Sequence, residues 1–218
     1  MLVGDWMSAD VATVTEDVSM IKAGRIMRDK KIRRLPVVNG AGRLIGIVSE
    51  RDLKAASPSS ATTLDMYEMT YLLSELKVKK IMTRDPVAIR VTDTVERAAL
   101  IMRDRKFGSL PVVDDAGTVV GIITDTDIFR LFVSITGIDQ GGIQIGLRLE
   151  TAEGSLKPFL DALRRHEARI ISILSSYDRV KPGQRDVSVR IQGLPETRER
   201  ELRAALEAAG HVLYWTRD

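Results

Sequence analysis

Apolar and polar residues follow the same order twice along the chain. The first pass contains two short apolar stretches, Leu35 to Val38 and Leu44 to Val48, joined by a turn rich in Asn and Gly. The second pass follows at a constant offset, with Leu110 to Val113 and Val119 to Ile123 joined by a turn rich in Asp and Gly. Short apolar runs joined by such turns predict β-hairpins. The repetition predicts two copies of one structural unit.

The same offset, which takes Leu35 to Leu110, extends to both sides of the hairpins. Each copy begins with an extended piece, continues with apolar residues at helical spacing, and ends with a helix that follows a hydroxyl residue. The extended pieces are 11–14 and 87–89, the first helices are Val18 to Asp29 and Val95 to Asp104, and the last helices follow Ser49 and Thr124. We therefore predict two β-α-β-β-α units, 7–54 and 82–129. A sheet in a unit of about 50 residues buries too little surface alone, so we expect the copies to pack against each other.

The stretch between the copies predicts a connector helix over 59–80. Its apolar residues Met66, Met69, Leu73 and Leu76 recur at helical spacing. This pattern is typical of a packed connector, and a helix that binds a partner protein would show it too. After the second copy, 137–142 gathers glycine and predicts a linker.

Residues 143–218 predict a separate domain with the order β-α-β-β-α-β. The predicted strands and helices are, in chain order, Ile143 to Glu150, Ser155 to about His166 with Ser155 as the N-cap, Ile170 to Tyr177, Asp186 to Gln192, Arg198 to Ala209 and His211 to Thr216. This order is that of a ferredoxin-like antiparallel sheet with two helices on one face. The whole chain is therefore predicted to be an α+β protein of several small domains.

The composition narrows the chemistry that this fold could carry. Hydrophobic residues make up 44% of the chain and charged residues 29%, as in ordinary globular proteins. The net charge is only +3 and is not concentrated in one part of the chain, so we do not expect a dedicated nucleic-acid binder. Without cysteine, disulfides and thiolate chemistry are excluded. No apolar run is long enough to cross a membrane, so we expect neither a signal peptide nor a membrane span, and a cytoplasmic location.

The sequence contains no constellation typical of an active site. His166 and His211 are far apart in the chain, and Asp125 with Asp127 has no second carboxylate cluster to complete a metal site. We therefore expect a protein that is not an enzyme and that requires neither a metal nor a cofactor.

Two hydroxyl-x-x-acid boxes stand where a strand passes into a helix. They are Ser49 with Asp52 and Thr124 with Asp127. Each box can cap its helix, because the hydroxyl accepts from a backbone N–H and the acid reaches back. Each can also serve a nucleotide, because a helix N-terminus favours phosphate and an acid there can accept from ribose hydroxyls. Both interpretations remain open at this point.

Together, the duplication, the two Leu-Pro-Val-Val motifs and the two Gly-Ile-x-Ser/Thr-x-x-Asp motifs resemble a tandem pair of CBS domains. These regulatory modules bind adenosine-containing ligands, so AMP, ADP or ATP is the implied ligand. The resemblance implies that hydroxyl and acid contact phosphate and ribose, and that adenine lies against the first strand and the loop before Leu-Pro. The positions implied are Ser49, Asp52, Val14, Arg34 and Pro36 in the first copy, and Thr124, Asp127, Ile89, Ser109 and Pro111 in the second. The copies differ at this loop, where Arg33-Arg34 corresponds to Gly108-Ser109.

Residues 143–218 resemble an ACT domain through the order of their elements and through Gly154. ACT domains often bind amino acids, which implies an amino-acid ligand at Glu153, Gly154 and Ser155, where a glycine turn meets a helix N-terminus. A domain used only for dimerisation is the alternative. The arrangement as a whole is similar to accessory proteins of acetoin utilisation of the AcuB type.

The sequence therefore predicts five parts: a first CBS repeat at 1–58, a connector at 59–80, a second CBS repeat at 81–136, a linker at 137–142 and an ACT-like domain at 143–218. We expect a regulatory homodimer that senses an adenine nucleotide and acts on a protein partner that the sequence does not identify. The alternatives are an accessory subunit without a ligand and a nucleic-acid-binding regulator that uses Lys30, Lys31, Arg33 and Arg34.

Overall fold

The protein is described by a computed structural model that covers residues 1–57, 71 and 73–218. The chain forms two compact units, Met1–Ile128 and Phe129–Asp218, called here the N-terminal and C-terminal units. Of the predicted connector, Met66 and Met69 lie outside the described residues, whereas Leu73 and Leu76 pack against the core of the first repeat.

The N-terminal unit contains the two predicted repeats. Its helices are α1 (Val3–Trp6), α2 (Met20–Asp29), α3 (Glu50–Ala56), α4 (Val95–Arg105) and the start of α5 (Asp125–Thr136), with a 3₁₀ turn at Val78–Lys80. Its strands are β1 (Val14–Thr15), β2 (Arg34–Val38), β3 (Leu44–Ser49), β4 (Thr83–Arg84), β5 (Ile89–Arg90), β6 (Ser109–Val113) and β7 (Val119–Thr124). The predicted β-α-β-β-α order is therefore present in both copies.

The two repeats pair their strands in the same register. In the first repeat β1 runs parallel to β2, and β2 runs antiparallel to β3, with Leu35 opposite Val48. In the second repeat β5, β6 and β7 pair in the same way, with Leu110 opposite Ile123. All four of these side chains are fully buried, because the alternation of the strands turns them to the core. The register places Ser49 and Thr124 at the ends of β3 and β7, where the last helix of each repeat begins.

The segments that precede the repeats are exchanged between them. We call 2–8 and 77–84 the leading segments. The first lies on the second repeat, where Val3 N–H donates to the Asp93 carbonyl at 2.8 Å and Ser8 pairs with Ile122 of β7. The second lies on the first repeat, where Val78 N–H donates to the Val18 carbonyl at 2.8 Å. Each leading segment thus covers a sheet edge that would otherwise be open, and the two repeats interlock.

A side-chain ion pair fastens the second leading segment to the first repeat. Lys79 Nζ lies 2.7 Å from Asp17 Oδ1. The hydrogen bond from Lys79, together with its positive charge, holds the pKa of the Asp17 carboxyl below its ordinary value. The positions that correspond to this pair on the other side are Gly4 and Thr92, which cannot form an ion pair.

The C-terminal unit is a four-stranded antiparallel sheet with two helices. Its strands are β8 (Ile143–Glu150), β9 (Ile170–Ser176), β10 (Gln184–Ile191) and β11 (His211–Arg217), and its helices are α6 (Lys157–Arg165) and α7 (Glu196–Ala209). The strand order is β11-β8-β10-β9. One face of β8 and β10 meets α6 and α7 in a core that includes Ile145, Val187, Phe159 and Leu202. The predicted β-α-β-β-α-β order is present.

The predicted capping role of Ser155 is wrong. Helix α6 begins at Lys157, its N-cap position is Leu156, and no side chain accepts a hydrogen bond there. The chain first makes a turn in which Ser155 N–H donates to the Ala152 carbonyl, so the helix starts later than expected. Pro158 lies in the first turn of α6, where a proline is tolerated because it has no N–H that would need a partner.

Candidate functional site

The hydroxyl-x-x-acid boxes have nearly identical geometry in the two repeats. Asp52 Oδ2 accepts from Ser49 N–H at 2.7 Å and from the Ser49 hydroxyl at 2.7 Å, and Ser49 Oγ accepts from Asp52 N–H at 3.3 Å. The corresponding distances for Asp127 and Thr124 are 2.8, 2.7 and 3.3 Å. Both boxes therefore cap their helices. In each, the hydroxyl oxygen accepts from a backbone N–H of the first turn, and the carboxylate accepts from the backbone N–H of the residue that precedes the helix.

Capping uses only one oxygen of each carboxylate in these hydrogen bonds. Asp127 is 5% exposed and Asp52 is half-buried. The bonds above engage Oδ2 in both cases. For Asp52, the described part of the chain offers Oδ1 no hydrogen-bond partner. Capping and ligand binding are thus compatible at the first box, because they would use different oxygens of one side chain.

A cavity of about 750 Å³ lies in the N-terminal unit and draws its walls from both repeats. The first repeat contributes the loop before β2 and the segment before β1, and the second contributes the loop before β6 and the start of α5. The lining residues are Ser8, Asp10, Val11, Ala12, Lys31, Ile32, Arg33, Arg34, Arg51, Lys106, Phe107, Gly108, Ser109, Ile122, Thr124, Asp125 and Thr126. Its size is within the range of small-molecule sites.

Three of the ten predicted nucleotide positions meet in this cavity: Arg34, Ser109 and Thr124. The other seven do not line it. Val14 and Ile89 are buried in the first strands, Pro36 and Pro111 are buried in the Leu-Pro motifs, and Ser49, Asp52 and Asp127 belong to the capping boxes. The structure thus joins Arg34, predicted for the first cleft, to Ser109 and Thr124, predicted for the second.

The charges around the cavity are predominantly positive. Five basic residues line it, Lys31, Arg33, Arg34, Arg51 and Lys106, against the two acids Asp10 and Asp125. None of the five has an ion-pair partner within the part of the chain that the structure describes. Unpaired basic side chains around a concave surface favour an anionic ligand.

One polar group in the cavity wall is unsatisfied. The Ser109 side chain is 5% exposed, and its hydroxyl has no hydrogen-bond partner among the described residues. A buried hydroxyl without a partner costs roughly 1 to 3 kcal/mol, so such groups usually meet a ligand or water. Ser109 therefore places a buried, unsatisfied hydroxyl in the wall of the cavity.

Gly108 makes room for a charged group of the other repeat. A Cβ atom added at Gly108 would lie 2.9 and 3.2 Å from the two terminal nitrogens of Arg34, and 3.3 Å from Asp125 Oδ2. A side chain at position 108 would have to displace the guanidinium. The two loops that differ in sequence, Arg33-Arg34 and Gly108-Ser109, thus meet in the structure. There the Arg34 side chain of the first repeat fills the space that Gly108 of the second repeat leaves open.

Sequence reasoning missed several groups of this cavity. Arg51 and Lys106 carry charge into it, and Asp10 lies at its wall, yet none was assigned to the nucleotide site. The available signal was the constant offset between the repeats, which aligns Lys106 with Lys31 and so predicts two basic loops in equivalent places.

The predicted amino-acid position in the C-terminal unit is an exposed turn. Glu153 and Gly154 are exposed, and Gly154 has φ +77°. Ser155 Oγ accepts from Arg185 Nη2 at 3.3 Å, and Arg185 Nε is buried without a hydrogen-bond partner among the described residues. Sequence reasoning missed this arginine, which brings a positive charge from β10 to the turn before α6.

The open face of the same sheet carries a second arginine that is already paired. Arg148 donates to both carboxylate oxygens of Asp186, at 2.8 and 2.9 Å. These hydrogen bonds hold the pKa of the Asp186 carboxyl below its ordinary value. Because the pair satisfies itself, it offers less to a ligand than Arg185 does.

The described ranges 1–57, 71 and 73–218 contain neither a candidate membrane span nor a candidate metal cluster. Within these ranges, no helix has the length and apolar character needed to cross a membrane. The same residues include no group of three or more His, Asp or Glu side chains that could hold a metal ion.

Comparison with known proteins places the repeats in a family. The CBS-domain model matches residues 3–59 and 78–134, which together are just over half of the chain. A CBS domain-containing protein of Dictyostelium discoideum is 33% identical over 135 residues, which are 62% of this chain and 93% of that protein.

Other relatives are much longer than the matched region. An uncharacterised protein of Methanocaldococcus jannaschii is 35% identical over 117 residues, which are 54% of this chain and 25% of that protein. A homoserine O-acetyltransferase of Methanohalobium evestigatum is 35% identical over 129 residues, 59% of this chain and 24% of the enzyme. The chain thus spans about a quarter of the length of these two relatives.

Three solved structures are similar to the same region. CBSX2 of Arabidopsis thaliana in complex with AMP has a TM-score of 0.52 and 32% identity, covering 62% of this chain and 98% of that chain. The CBS domain pair of the protein MJ0100, in complex with 5′-methylthioadenosine and S-adenosyl-L-methionine, has a TM-score of 0.51 and 30% identity, covering 61% and 95%. A Vibrio cholerae protein assigned to acetoin utilisation, AcuB, has a TM-score of 0.54 and 29% identity, covering 64% and 96%.

The family model covers both repeats, and its two ranges include the residues of both capping boxes and of the cavity lining. The chain therefore belongs to the CBS-domain family, as a protein with a tandem CBS pair.

Proposed function

We propose that this protein is a non-catalytic regulator that binds an adenosine-containing ligand between its two CBS repeats. The cavity carries this proposal, because it combines unpaired basic groups with an unsatisfied buried hydroxyl. The ligands in the related CBSX2 and MJ0100 structures, AMP, 5′-methylthioadenosine and S-adenosyl-L-methionine, support adenosine as the common part.

The arrangement suits the parts of a nucleotide in different ways. Thr124 and the N-terminus of α5 lie at the cavity wall, where the positive end of the helix dipole favours phosphate. Asp52 and Asp127 do not line the cavity; in this proposal a ligand that extends from it toward the capping boxes would meet their carboxylates, which can accept from ribose hydroxyls. AMP, ADP and ATP are regulatory ligands in this proposal and take part in no reaction.

Regulation in this proposal acts through the packing of the repeats. Both repeats supply lining residues, so an occupant contacts both at once and stabilises one mutual arrangement. A ligand that binds one arrangement better than another shifts the population toward it. A partner protein that recognises that arrangement would then sense the ligand.

Calorimetric titration with AMP, ADP and ATP, using the parent and two variants, tests the proposal. We expect Asp52→Ala and Asp127→Ala to fold, and at least one to bind the nucleotide at least about tenfold more weakly, because charged hydrogen bonds contribute roughly 1.5 to 3 kcal/mol. Thr94→Ala is the control, since Thr94 caps α4 by accepting from Arg97 N–H and loses only a cap. If both variants and the double variant bind like the parent while melting lower, the acids are only caps.

We further propose that the C-terminal unit is ACT-like and binds an amino acid at Glu153, Gly154 and Ser155. The observation that favours this is Arg185, whose guanidinium reaches the turn and would pair with a carboxylate. A thermal-shift screen of amino acids on the parent, Arg185→Met and Gly154→Val is the test. If both variants keep the rise in melting temperature that an amino acid causes, the binding site lies elsewhere. If no amino acid changes the melting temperature of the parent, a domain used only for dimerisation is favoured.

We also propose a homodimer. Helix α5 exposes Phe129 at 67% and Phe132 at 57%, and two exposed aromatic residues one turn apart on a helix favour burial against a second copy. Sedimentation should give a mass well above 24.2 kDa at micromolar concentration, and Phe132→Ser should lower it. A parent mass near 24.2 kDa, with and without nucleotide, would exclude the dimer.

The nucleic-acid alternative is tested by salt. Phosphate-backbone binding weakens steeply as salt rises, so a duplex titrated at several ionic strengths would reveal it. An accessory subunit without a ligand would bind neither nucleotide nor nucleic acid.

A further inference from the structure

We infer that the cavity selects adenosine ligands by their phosphates, so that affinity rises from AMP to ADP to ATP, and that Arg34 seated at Gly108 sets this preference. The inference rests on the proposed function and concerns the class of ligand at the same site. It separates phosphorylated adenosine ligands from those that carry none, such as 5′-methylthioadenosine and S-adenosyl-L-methionine.

The first step is the balance of charge. Five basic side chains and two acids line one cavity, and none of the basic groups is paired within the described residues. A polyphosphate offers these groups several negative oxygens. A ligand with a positive sulfonium would add charge of the same sign, and an uncharged thioether would leave the basic groups unpaired while removing water from them.

The second step is the position of Arg34. Its backbone is fixed by the pairing of β2 with β3, where Arg34 lies opposite Ser49. Its guanidinium occupies the space above Gly108, 2.9 and 3.2 Å from where a Cβ would be. A planar guanidinium presents two parallel donors to phosphate, and this one reaches the wall formed by the second repeat.

The third step is the buried hydroxyl beside it. Ser109 follows Gly108, and its Oγ has no partner among the described residues although the side chain is only 5% exposed. A phosphate oxygen is a strong acceptor for this hydroxyl. Because this Oγ is covered in the structure, a turn of the hydroxyl toward the cavity is part of the inference; the cationic arginine and the hydroxyl donor then form a site for an anionic oxygen that is independent of the helix N-termini.

The two repeats make this site together. The loop before β2 supplies Arg34 and Lys31, and the loop before β6 supplies Ser109 and Lys106. At the positions that correspond to Arg33 and Arg34, the second repeat has Gly108 and Ser109, which are small enough to admit the arginine. The divergence of the repeats at this loop is therefore what creates one phosphate centre between them.

The test is a titration series on the full chain at one ionic strength, without divalent metal. The ligands are adenosine, 5′-methylthioadenosine, S-adenosyl-L-methionine, AMP, ADP and ATP. We expect at least a tenfold gain in affinity from 5′-methylthioadenosine to AMP, a further gain of severalfold with each added phosphate, and S-adenosyl-L-methionine among the weakest.

Two variants and one control locate the effect. Arg34→Met should reduce the gain from AMP to ATP to about threefold or less, with the AMP affinity of the same variant as the reference. Gly108→Ala should do the same while keeping the arginine, because its Cβ occupies the place of the guanidinium. Arg43→Met removes an exposed arginine of the same repeat outside the cavity lining and should leave the whole series unchanged.

The outcomes separate this inference from the proposed function. If none of the six ligands binds, the proposed function fails and the inference fails with it. If all six bind within about threefold of one another, or S-adenosyl-L-methionine binds most tightly, the proposed function stands and the inference is overturned. If the series rises with phosphate equally in the parent and Arg34→Met, the role of Arg34 is wrong.

Discussion

The two repeats keep the same scaffold and differ at the surface they share. Their strand registers correspond, and the hydrogen bonds of their capping boxes have nearly the same lengths. They differ at the loop before the second strand, where Arg33-Arg34 stands against Gly108-Ser109. The difference teaches that duplicated residues which build the unit are kept alike, whereas residues at the common cavity become complementary to each other.

The largest effect should come from filling the space that the leading segments occupy. A Cβ at Gly46 would lie 2.5 Å from Met82 Sδ, and one at Gly121 would lie 2.4 Å from Met7 Sδ. We expect Gly46→Val and Gly121→Val each to lower the free energy of unfolding by about 1 to 3 kcal/mol, through overpacking, in chemical denaturation.

The control for these two variants is Gly40→Val, because no atom lies within 4 Å of a Cβ at that turn position. It should change the free energy of unfolding much less. If only one of the two valine variants lost stability, the packing of the two leading segments would not be equivalent in spite of their matching geometry.

The capping boxes should respond equally in the two repeats. Ser49→Ala and Thr124→Ala each remove a side chain that accepts from a helix N–H, and each should lower the free energy of unfolding by about 1 kcal/mol without ligand. Thr126→Ala is the matched control, because that hydroxyl makes only a 3.5 Å contact outside the box. Losses that differ by more than about 1 kcal/mol would contradict the equivalence seen in the distances.

Replacing Ser109 should have opposite effects on the melting temperature of the free and of the ligand-bound protein. Without ligand, Ser109→Ala should leave the melting temperature unchanged or raise it, because the variant removes a buried hydroxyl that has no partner among the described residues. The rise in melting temperature caused by ATP should become smaller than in the parent. A clear drop in the melting temperature of the unliganded variant would mean that the hydroxyl has a partner.

The smallest effect concerns the ion pair between Lys79 and Asp17 beside the first repeat. Since the pKa of Asp17 lies below its ordinary value, the pair stabilises the fold above that ordinary value, and the contribution is lost as pH falls through the folded-state pKa. In Lys79→Met the Asp17 pKa should move back up, as measured by NMR titration. Thr92→Ala, at the equivalent place in the second repeat, should leave it unchanged. If the Asp17 pKa did not change in Lys79→Met, Lys79 would not be the cause of its lowered value.

Local pattern was enough to predict most strands and helices of the repeats and of the C-terminal unit, but not α1 or β4. Strands such as Leu44–Ser49 and helices such as Val95–Arg105 follow from apolar periodicity and turn residues, which depend on near neighbours in the chain. The hydroxyl-x-x-acid boxes were also readable, because their hydrogen bonds join positions within one helical turn. Ser155 shows the limit of this reasoning, since a turn closed by Ala152 delayed the helix that its hydroxyl was expected to cap.

The cavity could not be predicted in the same way. Lys31, Arg51 and Lys106 become neighbours only when the repeats pack, and periodicity within one repeat says nothing about that packing. The constant offset correctly aligned Met7 with Met82 and Gly46 with Gly121. It did not reveal that each methionine lies against the glycine of the other copy's sheet, because an internal alignment relates positions and not contacts.

The exchanged leading segments also have a consequence for how the chain folds. The sheet of the first repeat is not complete until Thr83–Arg84 has been synthesised, and the second repeat depends on residues that are synthesised before the first repeat. Contacts such as Ser8 with Ile122 join positions far apart in the chain. Because such contacts slow folding, we expect the leading segments to dock on the opposite repeats late. Neither repeat is therefore an independent folding unit, and residues 1–128 should unfold in one cooperative transition.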